Sequence, residues 1–102
     1  MTDGELIQPF AVDSYKSFVK WLRAQGHEPI LLMTPYHHNV WKAPNGPTTK
    51  ALLAVEPIVR ELGRQLNVVV VGSFDPKVIG CREEEFWDSM HARATCLTRI
   101  GQ

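Results

Sequence analysis

Val68-Val69-Val70-Val71-Gly72 is the run on which the fold turns. Four consecutive valines predict a strand, and the glycine ends it. Upstream, Leu52, Val55, Ile58, Val59 and Leu62 recur at helical spacing. Thr48 or Thr49 can cap that helix, Pro57 predicts a kink or a late start within it, and Gly63 lies near its end. Further upstream, Pro29 precedes Ile30-Leu31-Leu32-Met33, a continuous apolar run that suits a strand buried on both faces, as in a parallel sheet. Strand, crossover helix and strand make a right-handed parallel unit.

Around that unit, Val12, Tyr15, Phe18, Val19 and Leu22 predict an amphipathic helix over residues 12–25, with Asp13 or Ser14 as cap and Gly26 as its end. Ala94, Leu97 and Ile100 predict a last helix, and Leu6–Phe10 gives a faint signal for an extra strand. The expected architecture is α/β, a small parallel sheet flanked by helices, in one domain over residues 1–102. Two strands leave sheet edges unpaired and apolar helix faces short of partners. The expected remedies are a third strand at residues 6–10, a homo-oligomer, or a partner that completes the sheet.

Composition narrows the function classes. Of 102 residues, 44% are hydrophobic, as in an ordinary globular domain. Eleven basic residues balance eleven acidic ones, so no basic field exists to attract nucleic acid. No apolar run approaches the roughly 18 residues of a membrane span. Met1-Thr2-Asp3-Gly4-Glu5 lacks the basic-then-apolar order of a signal peptide, so a cytoplasmic chain is expected. Cys81 and Cys96 allow one disulfide at most. Cys96 falls among apolar helical positions, and the expectation is a buried, reduced thiol acting as a small hydrophobe. Without a Cys-x-x-Cys pair, a zinc finger is not expected.

Ligands of open α/β sheets bind beyond the carboxyl ends of the strands. Both long loops leave from such ends. One, residues 34–47, holds three prolines, one glycine, Tyr36, His37, His38 and Trp41. The other leads through Gly72-Ser73-Phe74-Asp75, Cys81 and Glu83-Glu84-Glu85, read as a solvated run or a first helical turn, to Phe86-Trp87-Asp88-Ser89-Met90-His91. His27 falls at the opposite edge. Asp88 is close enough in sequence to accept a hydrogen bond from one His91 nitrogen, fixing the other as a base. The competing reading makes Asp88 a helix cap and His91 an exposed residue of the first turn.

With these residues in hand, the chain resembles the C-terminal half of an SGNH (GDSL-type) hydrolase. The resemblance covers roughly residues 12–100. It is carried by Asp88-Ser89-Met90-His91 behind Phe86-Trp87, by Leu31-Leu32-Met33-Thr34-Pro35-Tyr36 as a strand-to-loop step, and by the order of elements. It implies half of a three-layer α/β/α sandwich, ester hydrolysis or acyl transfer, Asp88 as orienter and His91 as general base. The Gly-Asp-Ser nucleophile block and the Gly-x-Asn-Asp block of that family are absent here. Ser73 and Cys81 are the weaker candidates for a nucleophile, each with a structural alternative: a loop serine satisfying backbone groups, or a structural thiol.

Tyr36, His37, His38 and Trp41 are candidates to bind a small acyl ester or a carbohydrate. The same residues can instead be loop side chains in solvent or packed on the sheet. A different class of function is a non-catalytic binding or interaction domain using the carboxyl-edge cleft. A third is a metal site from His37, His38 and His91, although a site holding neither metal nor cofactor is the main expectation.

Overall fold

A computed structural model describes residues 9–100. The order is helix α1 (Pro9–Ala24), strand β1 (Ile30–Met33), a short helix α2 (His38–Trp41), helix α3 (Pro47–Leu66), strand β2 (Val69–Gly72), a one-turn helix α4 (Pro76–Ile79), a 3-10 turn (Glu83–Glu85) and a one-turn helix α5 (Ala94–Leu97). The two strands pair in parallel, with Ile30 opposite Val69 and Met33 opposite Gly72. The fold is therefore a small α/β unit built on β1-α3-β2, the crossover that the valine run and its upstream helix imply.

Helix α3 starts earlier than the threonines suggest. Pro47 is its first residue, where a missing N–H costs nothing, and Gly46 is the N-cap. Thr49 is buried and donates its hydroxyl to the Val40 carbonyl at 2.5 Å, tying α3 to α2 instead of capping. The helix runs through Pro57 and past Gly63 to Leu66, and Asn67 closes it in a left-handed conformation (φ 55°). Gly63 lies near that end, as its position in the sequence implies. It is a glycine because the Val70 side chain packs against its backbone, and a Cβ there would collide with that side chain. This contact sets α3 directly on β2.

Leu31 and Val70 sit side by side on the covered face of the sheet. Ala11, Val12 and Tyr15 of α1 and Val59 and Leu62 of α3 line one apolar cleft with Leu31. Arg23 of α1 donates to the carbonyls of Leu66 (2.5 Å) and Asn67 (2.9 Å), which are free at the carboxyl end of α3, and pairs with Glu28. Helices α1 and α3 thus share one face of the sheet.

The other face is open. Ile30, Leu32 and Val69 are 62%, 55% and 60% exposed. The expectation of strands buried on both faces is corrected here: among the described residues no element covers Ile30, Leu32 and Val69. The arrangement has two layers, where the resemblance implies three. The faint strand at Leu6–Phe10 falls mostly outside the described residues, and Pro9 and Phe10 open α1. The last helix is a single turn, four residues long.

The segment after β2 has a small core of its own. Cys81, Phe86 and Cys96 are buried together, with Ile79 and Ala92 against them. Cys81 and Cys96 form a disulfide with a Cα–Cα distance of 5.2 Å and a sequence separation of 15. The expectation of a reduced Cys96 is therefore corrected; the residue is buried, as its apolar spacing implies, but bonded. Closing a loop of about 15 residues removes unfolded-chain entropy worth about 3 kcal/mol, a large share of what so small a cluster contributes.

Candidate functional site

The two carboxyl-end loops are stitched together. Tyr36 N–H donates to the Phe74 carbonyl at 3.0 Å, and the two rings meet edge to face at 6.1 Å. His37 N–H donates to the Ser89 carbonyl at 2.8 Å. The rings of His37 and His38 pack edge-on against Phe86, at 5.3 and 6.0 Å between centroids. Three of the four histidines thus gather at the carboxyl edge, and His27 sits on the exposed turn before β1.

Asp88 and His91 form a pair. Residues 87–91 make a tight turn closed by an antiparallel bridge between Phe86 and Ala92. Trp87 N–H donates to the His91 carbonyl (2.8 Å) and Arg93 N–H to the Glu85 carbonyl (2.7 Å). Within the turn, Asp88 Oδ1 accepts the backbone N–H groups of Met90 and His91, both at 2.9 Å. No helix follows directly, so Asp88 caps a turn and not a helix. His91 Nδ1 lies 2.8 and 2.7 Å from the two Asp88 oxygens. A carboxylate only accepts, so Nδ1 bears a proton, and in the neutral ring the Nε2 lone pair is left free. The Met90 N–H, then the His91 ring, hold the Asp88 carboxyl below its usual value.

The pair stands in water, with side chains 66% (His91) and 56% (Asp88) exposed. Solvent screens such a pair and weakens it as an orienting device. Trp87 and Met90 flank it, both exposed, and the Arg93 guanidinium stacks 3.8 Å over the Trp87 ring.

Neither candidate nucleophile is free to act. Ser73 is 1% exposed. Its hydroxyl donates to Glu56 at 2.9 Å and accepts Asp75 N–H at 3.0 Å. Glu56 also accepts Phe74 N–H (2.9 Å) and pairs with Arg60 (3.0 Å), whose guanidinium reaches the Gly72 carbonyl. Burial pushes the Glu56 carboxyl up, but the Phe74 N–H, Arg60 and Ser73 together outweigh it and hold the group below its usual value. Ser73 is thus a structural clamp between α3 and β2, which corrects its candidacy as nucleophile. Cys81 is corrected as well: its sulfur is in the disulfide, and no thiolate is available.

Of the candidate binding residues, Trp41 alone lines the cleft beyond β2. That cleft has a volume of about 310 Å³, with Glu56, Arg60, Ser73 and Asp75 at its polar wall and Leu52, Leu53, Pro57 and Val78 at its apolar wall. Trp41 Nε1 is buried without a hydrogen-bond partner. Tyr36 is taken up by Phe74, and His37 by Phe86 and by the Asn39 N–H that its Nδ1 accepts at 2.9 Å. His38 Nδ1 is buried and unpartnered. Among the described residues no three His, Cys, Asp or Glu side chains come together to hold a metal ion.

One buried group escaped the sequence reading. Glu85, the third of three consecutive glutamates, is 3% exposed instead of solvated. Its Oε1 accepts Arg99 (2.6 Å) and Arg82 N–H (3.0 Å), while Oε2 has no partner. Arg99 and the Arg82 N–H hold its carboxyl down to about 2. The available signal was Arg99, a cation on the returning arm that needs a carboxylate.

Comparison with protein-family models, with curated proteins and with solved structures gives no match. No helix among the described residues is long and apolar enough to cross a membrane.

Proposed function

We propose that this chain is an SGNH-hydrolase-like domain that carries the base half of an ester-hydrolysing or acyl-transferring site. Asp88 orients His91, and His91 Nε2 takes the proton from the attacking group. The observation that carries the reading is the short Nδ1 contact to the Asp88 carboxylate with Nε2 left free. Ser73 and Cys81 supply no nucleophile, so the attacking group is water or a hydroxyl from a partner. On this reading a second copy, or a partner, also covers the exposed sheet face at Ile30, Leu32 and Val69. A cytoplasmic location is part of the proposal; there the burial of Cys81 (4% exposed) and Cys96 (0%) slows the attack of cellular thiols on the disulfide.

A second reading is a non-catalytic binding domain. It is favoured by the cleft beyond β2, where the indole N–H of Trp41 is an unpartnered donor. The two readings separate on turnover of an activated ester such as p-nitrophenyl acetate by the purified chain. The hydrolase reading expects slow turnover that disappears in His91→Ala and falls in Asp88→Asn. A rate at background in the wild type, with the same rate in both variants, overturns it in favour of the second.

A further inference from the structure

The disulfide encloses the Asp88–His91 pair. Residues 81 and 96 bracket a hairpin whose arms meet at the Phe86–Ala92 bridge and whose tip is the turn 87–91. We propose that the Cys81–Cys96 bridge is a thiol-operated latch that positions this tip: closed, it keeps the turn docked on His37, and opened by a dithiol reductant, it releases the turn while β1-α3-β2 stays folded. The structural claim stands apart from any turnover; only its use as a control of activity rests on the proposed function.

Three observations carry it. First, the bridge sits at the base of the hairpin, where it joins the arm that leaves α4 to the arm that enters α5. Second, two of the three buried residues of the local core are the cysteines, with Phe86 as the third. An isolated hairpin of one bridge pair is marginal in water, so without the covalent tie little apolar burial holds its arms together. The Glu85–Arg99 pair does not replace the bridge. It ties the arms at one point, and its buried Oε2 is left without a partner, which reduces what the pair adds. Third, few contacts hold the hairpin to the rest of the molecule: the His37–Ser89 backbone bond at the tip, and on the arm the edge-on packing of His37 and His38 on Phe86 and the exposed Lys42–Glu83 pair.

The chemistry is thiol–disulfide exchange. A thiolate of the reductant attacks one bridge sulfur, forms a mixed disulfide and expels the other sulfur as a thiolate. The second thiol of the reductant then closes on the mixed disulfide. In sum, two electrons and two protons pass from the dithiol to the bridge, leaving Cys81 and Cys96 as thiols and the reductant as its cyclic disulfide. Because Cys81 is 4% and Cys96 0% exposed, attack waits for local opening of the arms. The latch is therefore slow and responds to sustained reducing conditions.

Amide hydrogen exchange on the full chain tests this, in the oxidised form, in dithiothreitol, and in Cys81→Ala/Cys96→Ala. On opening, exchange at the His37, Trp87 and Arg93 amides rises about tenfold or more, while the amides of the β1–β2 ladder keep their protection. The Asp88 carboxyl, followed by NMR titration, moves up toward its ordinary value as its turn N–H donors leave. Unchanged exchange at His37 and Trp87 overturns the latch. Equal loss of protection in β1 and β2 also overturns it, because the bridge is then a staple of the whole fold. If the double variant does not fold, reduction and reoxidation of the wild type gives the same readouts. None of these signals depends on ester turnover, so the latch and the hydrolase reading fail separately.

Discussion

Gly72 offers a quantitative test of how the carboxyl edge is built. It is the last residue of β2, with φ at 86°, and a Cβ there would meet the Met33 carbonyl carbon and oxygen of β1. Gly26, which follows α1, has the same φ of 86°, with nothing within 4 Å of its would-be Cβ. Alanine at either site pays about 1–2 kcal/mol for a left-handed backbone. At either site it also regains about 0.4–1 kcal/mol by restricting the unfolded chain. These two terms cancel in the comparison. What remains is the collision, and overpacking costs about 1–3 kcal/mol. The obstructing atoms are strand backbone, which cannot rotate away, so Gly72→Ala is expected to lose about 2–3 kcal/mol more than Gly26→Ala. With an m-value near 1.5 kcal/mol/M, the urea midpoints of the two variants then differ by about 1.3–2 M. Circular dichroism across a urea series measures both. Midpoints within about 0.3 M, or 0.5 kcal/mol, of each other refute the close approach of the strands at Met33 and Gly72.

Two other outcomes follow from the same packing. Glu85 titrates at about 2 in the folded chain against an ordinary 4.5, so its contribution is complete above about pH 4.5 and is lost as the pH falls toward 2. The urea midpoint of the wild type declines through that window, and the decline is shallower in Glu85→Gln; parallel declines contradict the buried Arg99–Glu85 pair. The exposed apolar face at Ile30, Leu32 and Val69 predicts a species larger than a monomer in light scattering of the purified chain, and a stable monomer removes self-association from the proposal.

Local patterns were legible in the sequence where neighbours along the chain decide the outcome. The valine run and Ile30–Met33 are both strands, and the apolar spacing from Leu52 to Leu62 is a helix. The three-residue step from Asp88 to His91 also reads correctly as a contact, because a turn can bring those side chains together without help from elsewhere. What the sequence hid depends on partners far away along the chain. Ser73 follows the best strand and looks like a candidate nucleophile until α3 delivers Glu56 to its hydroxyl, 17 positions away. Glu85 looks solvated in a run of three acids until Arg99 and the Arg82 N–H enclose it. Gly63 lies near the end of α3 as its position suggests, but the reason it is glycine, the Val70 side chain beside its backbone, sits on β2. Cys81 and Cys96 pair across 15 positions with no spacing motif to announce them.

The central claim of the proposal is that His91, and not the Ser73 hydroxyl, is the reactive group of the carboxyl edge. Steady-state hydrolysis of p-nitrophenyl acetate by Ser73→Ala and His91→Ala, side by side with the wild type, addresses it directly. Ser73 is buried against Glu56 and His91 presents a free Nε2, so Ser73→Ala keeps the wild-type rate and His91→Ala falls to the uncatalysed background. Loss of turnover in Ser73→Ala with a wild-type rate in His91→Ala contradicts the account.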